Sequence, residues 1–365
     1  MGENEQCSCG CSAKNNEKKY YSVSAVGRVS AEAGNINIIP TQWTLRDRIG
    51  EIRVRLDMGR MNYAVAPGVY AVGNPDHQSP VLVSANYKLS FDILRRELNG
   101  LNVWILVIDS KGVNVWCAAG KGTFGTDELV QRVKMTRLEK IVSTGKLIVP
   151  QLGAPGISAH TVQELCGFQV LYGPVRAKDI KKYINAGMKA DSMMRRVDFG
   201  IIDRLTVSWL ELAHAAKAVV VGMLFLVGLS MFMTRIPGLV ELKGEIRLLP
   251  ILFLASVLAG TVLNAVFLPY LPGRAFSFKG GLLGLAACSG IIYFSGQYLP
   301  VISYCSLILM GSGISAFLAL NFTGASTYTS LSGVKKEIRY SMPVIMIMIF
   351  CGVFLEIVHV IRRLL

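Results

Sequence analysis

The stretch Asn114-Val-Trp-Cys-Ala-Ala-Gly-Lys121 sets one cysteine among residues with almost no side chain. Val113–Trp116 reads as a short buried strand, and Cys117 stands where that strand runs out into Ala118, Ala119, Gly120 and Lys121. In α/β sheets, ligands collect at the carboxyl ends of strands. Small neighbours let a large flat ligand approach the backbone, and a cysteine binds metals through its thiolate. A buried structural cysteine is the competing reading, and the residues alone leave both open.

Around this segment the pattern alternates. Val69–Val72, Val81–Ser84, Val103–Ile108, Leu147–Val149 and Gln169–Tyr172 are short, rich in β-branched residues and bounded by Gly, Pro, Asn or Asp, as strands are. Between them, Ser90–Leu98, Thr126–Thr136 and Ser158–Cys166 read as helices capped by their first residue, and Asp127 and Glu128 favour the first turn of the second. Strand alternating with helix predicts an α/β domain over residues 41–190, with a mostly parallel sheet covered by helices on both faces.

The flanks differ in kind. Residues 1–40 form a polar tail containing Cys7, Cys9 and Cys11. Residues 217–365 read as an all-α transmembrane bundle of about five spans: Lys217–Thr234, Ile246–Leu268, Gly280–Gly296, Val301–Leu320 and Met342–Val360, each near the ~20 residues a hydrocarbon core requires. The third is short and Gly-rich, which suits close helix packing and leaves four spans as an alternative. Residues 191–216 are either a solvated linker or an interfacial helix with Trp209 at headgroup depth. Glu356 and His359, one turn apart near the end of the last span, read as side chains snorkelling to the membrane face.

The N-terminus has Glu3 and Glu5 and no apolar core after them, so no secretory signal is read there. The soluble domain is accordingly expected in the cytoplasm, on a multi-pass protein of the inner (cytoplasmic) membrane. Basic residues divide evenly between the two sides and do not decide orientation. The net charge of +14 comes from scattered Lys and Arg without a nucleic-acid motif, so a basic face toward anionic lipid is expected rather than nucleic acid. Eight cysteines, three of them inside spans, do not form a disulfide framework.

The segment Asn114–Lys121 is similar to the signature of the HgcA family, the corrinoid proteins of microbial mercury methylation, relatives of the corrinoid iron–sulfur protein of the acetyl-CoA pathway. The resemblance extends through Pro67-Gly-Val-Tyr-Ala-Val-Gly-Asn-Pro75, Pro80-Val-Leu-Val-Ser-Ala-Asn-Tyr-Lys-Leu-Ser90, Gly122-Thr-Phe-Gly-Thr126 and Gln151-Leu-Gly-Ala-Pro-Gly156, and covers about residues 40–365. It implies a Rossmann-like domain holding cobalamin or a related corrinoid. Cys117 would then ligate cobalt from below, on a short cap helix made by Asn114, Val115, Trp116, Ala118, Ala119, Gly120 and Lys121. Ser84, Asn86 and Tyr87, with Gly153, Ala154, Pro155 and Gly156, would meet the ring edge or tail, and His160 is a weaker candidate. The other common corrinoid ligand, the histidine of Asp-x-His-x-x-Gly, is missing, because His77 follows Asp76 directly.

The same resemblance implies a methyltransferase. A thiolate donates strongly to cobalt and favours handing a methyl group to a soft acceptor with its electron pair. Hg(II) is the implied acceptor and methylmercury the product. The alternative is a membrane-anchored methyl carrier in one-carbon metabolism with another acceptor. Renewed methylation requires two electrons, and Cys7-Ser-Cys-Gly-Cys11 is too compact for a ferredoxin cluster. A separate ferredoxin-like partner, HgcB, and a folate-dependent methyltransferase as methyl donor are therefore expected. Cys7, Cys9 and Cys11 are candidates for Hg(II) capture, against a tail without function. A membrane protein whose soluble domain only binds a partner is the reading from a third class.

Overall fold

The computed structural model describes residues 20–236, 242–325, 329 and 331–365, so Cys7, Cys9 and Cys11 lie outside the described residues. The chain divides into two compact units. One holds residues up to Glu51 together with Gly59–Arg196, and the other holds Ile52–Met58 together with Val197–Leu365.

The first unit is a mixed α/β sheet. In chain order its elements are β1 (Gly27–Ala31), β2 (Gly34–Ile38), α1 (Leu45–Arg55), β3 (Gly68–Val72), β4 (Val81–Ala85), α2 (Lys88–Glu97), β5 (Val103–Ile108), α3 (Val115–Gly120), α4 (Thr126–Thr136), β6 (Lys146–Val149), α5 (Ala159–Cys166), β7 (Gln169–Tyr172) and α6 (Ile180–Asn185). Strand order is β1-β2-β3-β5-β4-β6-β7. The block β5-β4-β6-β7 is parallel throughout. β3 runs antiparallel to β5, and β1–β2 is an antiparallel hairpin. The sheet is mixed but mostly parallel, as expected, with four of its six strand pairings parallel, and residues 27–38, expected in the tail, contribute two of its strands. The antiparallel pairings lie on the β3 side, where a tight turn joins β1 to β2 and a short loop joins β3 to β4, whereas β2 and β3, joined through α1, pair in parallel.

Helices do cover both faces. Along β5, Trp104, Leu106 and Ile108 pack with Leu129 and Val133 of α4 and Val162 of α5. Val103, Ile105 and Val107 pack with Phe91 of α2 and with Ile180 and Tyr183 of α6. The period-two alternation of a strand therefore feeds two apolar layers, which is why β5 is an unbroken apolar run.

Two expected caps are replaced. α2 starts at Lys88, before Ser90, because the Lys88 N–H donates to Tyr63 O at 2.9 Å and so is satisfied from outside the helix. Gly125 is the N-cap of α4, while Thr126 Oγ1 accepts from Ser158 N at 2.9 Å. Ser158 caps α5 as expected.

The larger correction concerns Val113–Trp116, which is not a strand. Lys111 and Gly112 have φ of 62° and 74°, so the chain turns sharply after β5. Asn86 Oδ1 gathers Ser110 N, Ser110 Oγ and Gly112 N at 3.1, 2.9 and 2.9 Å. Asn114 then caps α3 by accepting from Cys117 N at 2.9 Å.

Among the described residues, the second unit contains five helices long and apolar enough to cross a membrane: α7 (Ile201–Met233), α8 (Lys243–Phe267), α9 (Phe276–Phe294), α10 (Val301–Phe322) and α11 (Leu331–Leu364). From Ile201 onward, the stretch expected as a linker or an interfacial helix is helical and runs without interruption into the first of them. In α9, Gly284 faces Ser312 and Ser315 of α10 so closely that an added Cβ would lie 2.6 Å from Ser315 Cβ, the close packing its glycines suggested. His359 does not snorkel. It is buried, with Nε2 3.0 Å from Glu245 Oε2, which also accepts from Ser303 Oγ at 3.1 Å.

Candidate functional site

In the parallel block the chain passes from β4 to β5 on one side and later from β5 to β6 on the other, so β4 and β6 flank a topological switch point. A cavity of about 530 Å³ opens there. Its wall includes Ser84 at the end of β4, Pro150 after β6, Pro174 after β7, Leu94 of α2, and the N-terminal residues Asn114–Trp116 of the α3 segment. The lining is largely apolar, with Arg96, Glu97, Arg176 and Lys178 as its charged members, the composition of a site for a sizeable, mostly apolar ligand with a few polar handles.

Cys117 lies on α3 and is exposed, as Trp116 is. Among the described residues its Sγ has no hydrogen-bond partner. Ala118 and Ala119, by contrast, are buried in the core beside Phe124. The helix is thus pinned through its alanines and presents the thiol outward. Gly120 and Lys121 are exposed at its end, and the Lys121 N–H donates to Cys117 O at 3.1 Å.

The other expected site residues separate. Ser84 lines the cavity, its hydroxyl donating to Ala85 O at 3.2 Å. Asn86 is buried and committed to the turn before α3, its Nδ2 donating to Asp109 Oδ1 at 2.9 Å. Tyr87 is buried edge-on against Tyr63, with ring centroids 6.4 Å apart. In the Gln151–Gly156 turn, Gly153 is buried, Ala154 and Gly156 are half-buried and Pro155 is exposed. His160 pairs at the surface with Glu164 at 3.1 Å. Sequence reasoning missed the wall formed by residues 173–180, although Gly173-Pro174 directly after β7 marked another strand end.

Gly156 holds this arrangement together. A Cβ on it would collide with Phe124 O and lie 3.2 Å from Ala119 Cα. Gly156→Ala should therefore push the turn away from α3, destabilising the domain by about 1–3 kcal/mol. A lower thermal unfolding midpoint would register this, and an unchanged midpoint would refute the close approach.

Residues 57–184, which contain Cys117 and the cavity, match the family model described as CO dehydrogenase/acetyl-CoA synthase delta subunit, CdhD. The chain is 30% identical over 128 residues to the acetyl-CoA decarbonylase/synthase complex subunit gamma of Methanothermobacter thermautotrophicus, covering 34% of this chain and 28% of the relative. It is 28% identical over 122 residues to the subunit gamma of Methanopyrus kandleri, 33% and 26% of the two chains. To the corrinoid/iron-sulfur protein large subunit of Moorella thermoacetica it is 25% identical over 119 residues, 32% and 26%. The matched part spans about a quarter of the length of these relatives. Residues 57–184 of the chain are thus similar in sequence to the CdhD family model, to the gamma subunits of acetyl-CoA decarbonylase/synthase and to the corrinoid/iron-sulfur protein large subunit.

Proposed function

We propose that the α/β domain binds a corrinoid and carries a methyl group in one-carbon metabolism, held at a membrane by the five apolar helices. The observation that carries this reading is the exposed thiol of Cys117 on α3, beside a cavity at the switch point, within the region homologous to a corrinoid/iron-sulfur protein.

The residues present suit such a cofactor. A soft thiolate is a good donor for cobalt, and the cavity beside α3 is roomy and mostly apolar. When bound, the corrinoid would supply a cobalt that accepts and releases a methyl group. The chain's own residues do the rest. Cys117 would hold the cobalt through its thiolate. Asn114 and Asn86 fix the helix that presents it. Ala118 and Ala119 anchor that helix in the core, and Ser84, Val115 and Trp116 would exclude water from the buried side of the ligand. Lys121 and the turn 153–156 are proposed to complete the cap.

Reductive reactivation would come from a ferredoxin-like partner such as HgcB and methyl groups from a folate-dependent methyltransferase, with the domain on the cytoplasmic side. Chain purified without oxygen from a corrinoid-making anaerobe should contain stoichiometric cobalt with a visible corrinoid spectrum. Cobalt-free protein from such cells would refute the reading.

Hg(II) as acceptor is the second reading, favoured by the soft thiol at Cys117. Anaerobic cells producing this chain with its ferredoxin-like partner should form methylmercury. A loaded protein that transfers methyl groups but makes no methylmercury would leave the carrier reading and discard this one. Capture of Hg(II) by Cys7, Cys9 and Cys11 predicts that removing residues 1–12 lowers methylmercury formation at limiting Hg(II) while leaving corrinoid content unchanged.

A further inference from the structure

Helix α1 has two faces, and the assigned chemistry uses neither. One face grips the α/β unit. Thr44 and Asp47 cap each other's backbone, Thr44 N donating to Asp47 Oδ2 at 2.9 Å and Asp47 N to Thr44 Oγ1 at 3.2 Å. Asp47 is ion-paired with Lys88 and Arg95 at 2.7 and 2.8 Å. The opposite face is bare. Leu45, Ile49 and Ile52, at i, i+4 and i+7, are 74%, 50% and 58% exposed, a stripe on one side of the helix. Met58 and Met61, in the turns that follow α1, are exposed as well.

The stripe is bordered by the exposed Arg46, Arg48 and Arg53. The carboxylates of this segment are occupied elsewhere: Asp47 as above, Asp57 with His214 of α7 at 3.1 Å, and Glu51 half-buried with a partner of its own. An apolar stripe edged by arginine is the composition of a helix that lies in a bilayer interface, with its apolar side among the acyl chains and its guanidinium groups on anionic headgroups.

Depth supports this occupant over a protein. Ile52–Met58 group with the helical unit, and Asp57 pairs with His214. His214 and Lys217 are the last ionisable residues of α7 before the apolar run 218–233. The end of α1 is therefore tied to the level at which the first long helix passes from polar to apolar sequence, the depth of lipid headgroups.

We propose that α1 is an interfacial docking helix, which inserts Leu45, Ile49 and Ile52 into a membrane surface of anionic phospholipid. This rests on the reading that α7–α11 are embedded in a bilayer.

Hydrogen–deuterium exchange of the full chain in lipid nanodiscs tests both readings in one experiment. Amides of 45–55 should exchange on the order of tenfold more slowly in discs containing phosphatidylglycerol than in pure phosphatidylcholine, since each basic group near an anionic surface adds about 1 kcal/mol. The difference should disappear in Leu45→Glu/Ile49→Glu/Ile52→Glu and in Arg46→Gln/Arg48→Gln/Arg53→Gln, with exchange in α4 unchanged as the control for folding. Equal rates in the two lipids, with α7–α11 protected, would overturn the docking helix alone. Protection that appears only with several copies per disc would overturn it in favour of a second copy of this chain. Unprotected α7–α11 would overturn the membrane reading along with it.

Discussion

Cys117→Ala should fold as well as the parent chain and lose methyl transfer. The side chain is exposed and, among the described residues, hydrogen-bonded to nothing, so its removal leaves no core cavity and no orphaned donor. Substitutions of this kind shift stability by about 0.5 kcal/mol or less. If the thiolate is the lower cobalt ligand, the rate of methyl transfer should fall by at least about 100-fold, since even outer-shell partners of metal ligands are worth 10–100-fold. Cys117→His, which keeps a ligand but exchanges sulfur for nitrogen, should bind corrinoid with a different visible spectrum. Two measurements check this, the thermal unfolding midpoint and single-turnover methyl transfer by the cofactor-loaded protein. Parental rates and spectra in both variants would return Cys117 to the bland reading of a cysteine without chemistry.

Asp92→Ala should produce the largest loss of stability in the α/β unit. Asp92 is 1% exposed and holds two buried cations, Lys88 Nζ at 2.5 Å and Arg95 Nε at 2.8 Å. Arg95 is also tied to Pro40 O and Gln42 O at 2.7 and 3.1 Å, so it cannot swing into water without unpinning the segment before α1. Asp47 alone would be left to neutralise both cations, and stranding a buried charge costs about 3–5 kcal/mol. Thermal unfolding followed by tryptophan fluorescence suits this test, because Trp43 Nε1 donates to Asp92 O at 2.9 Å. A shift no larger than that of an ordinary surface substitution would show that the pairs are not needed.

Acid should weaken the same cluster. Burial by itself would raise the Asp47 carboxyl. Its hydrogen bonds from Lys88 and Thr44, with the Lys88 charge, outweigh burial and hold it well below its ordinary 3.8. A carboxylate depressed by folding stabilises fully above its unfolded value, and that stability is lost as pH falls from about 3.8 through the folded value. Asp47→Asn should flatten the unfolding midpoint over this acid range, and an unchanged slope would assign the loss to other groups.

The particular residues show where sequence reading reached and where it stopped. β4, β5, β6 and β7 were legible because β-branched runs ended by turn residues are a local signal. The long apolar helices were legible because their length and composition suffice. α3 was misread. Val113–Trp116 has strand composition, but the Lys111–Gly112 turn and the Asn86 side chain from 26 residues before Gly112 bend it into a capped helix. The resemblance implied a short helix there, and local propensity did not. Likewise Ser90 looked like a cap, and Tyr63 O made it unnecessary. Ser84 and Asn114–Trp116 share the cavity, whereas Asn86, Tyr87 and Gly153 support the elements around it. A sequence cannot separate those roles, because lining and supporting residues are polar or small alike.

By itself, then, the sequence determined the two kinds of material in this chain, an α/β unit with a lone cysteine among small residues and a run of span-length apolar helices, since both follow from periodicity and composition within short windows. Tertiary structure decided the direction of β3, the turn into α3, the outward thiol, the switch-point cavity, the buried Asp47–Lys88–Asp92–Arg95 cluster and the bare stripe on α1. Each of these depends on partners brought together from far along the chain, and hydrogen bonds, charge pairing and close contact act across space rather than along sequence.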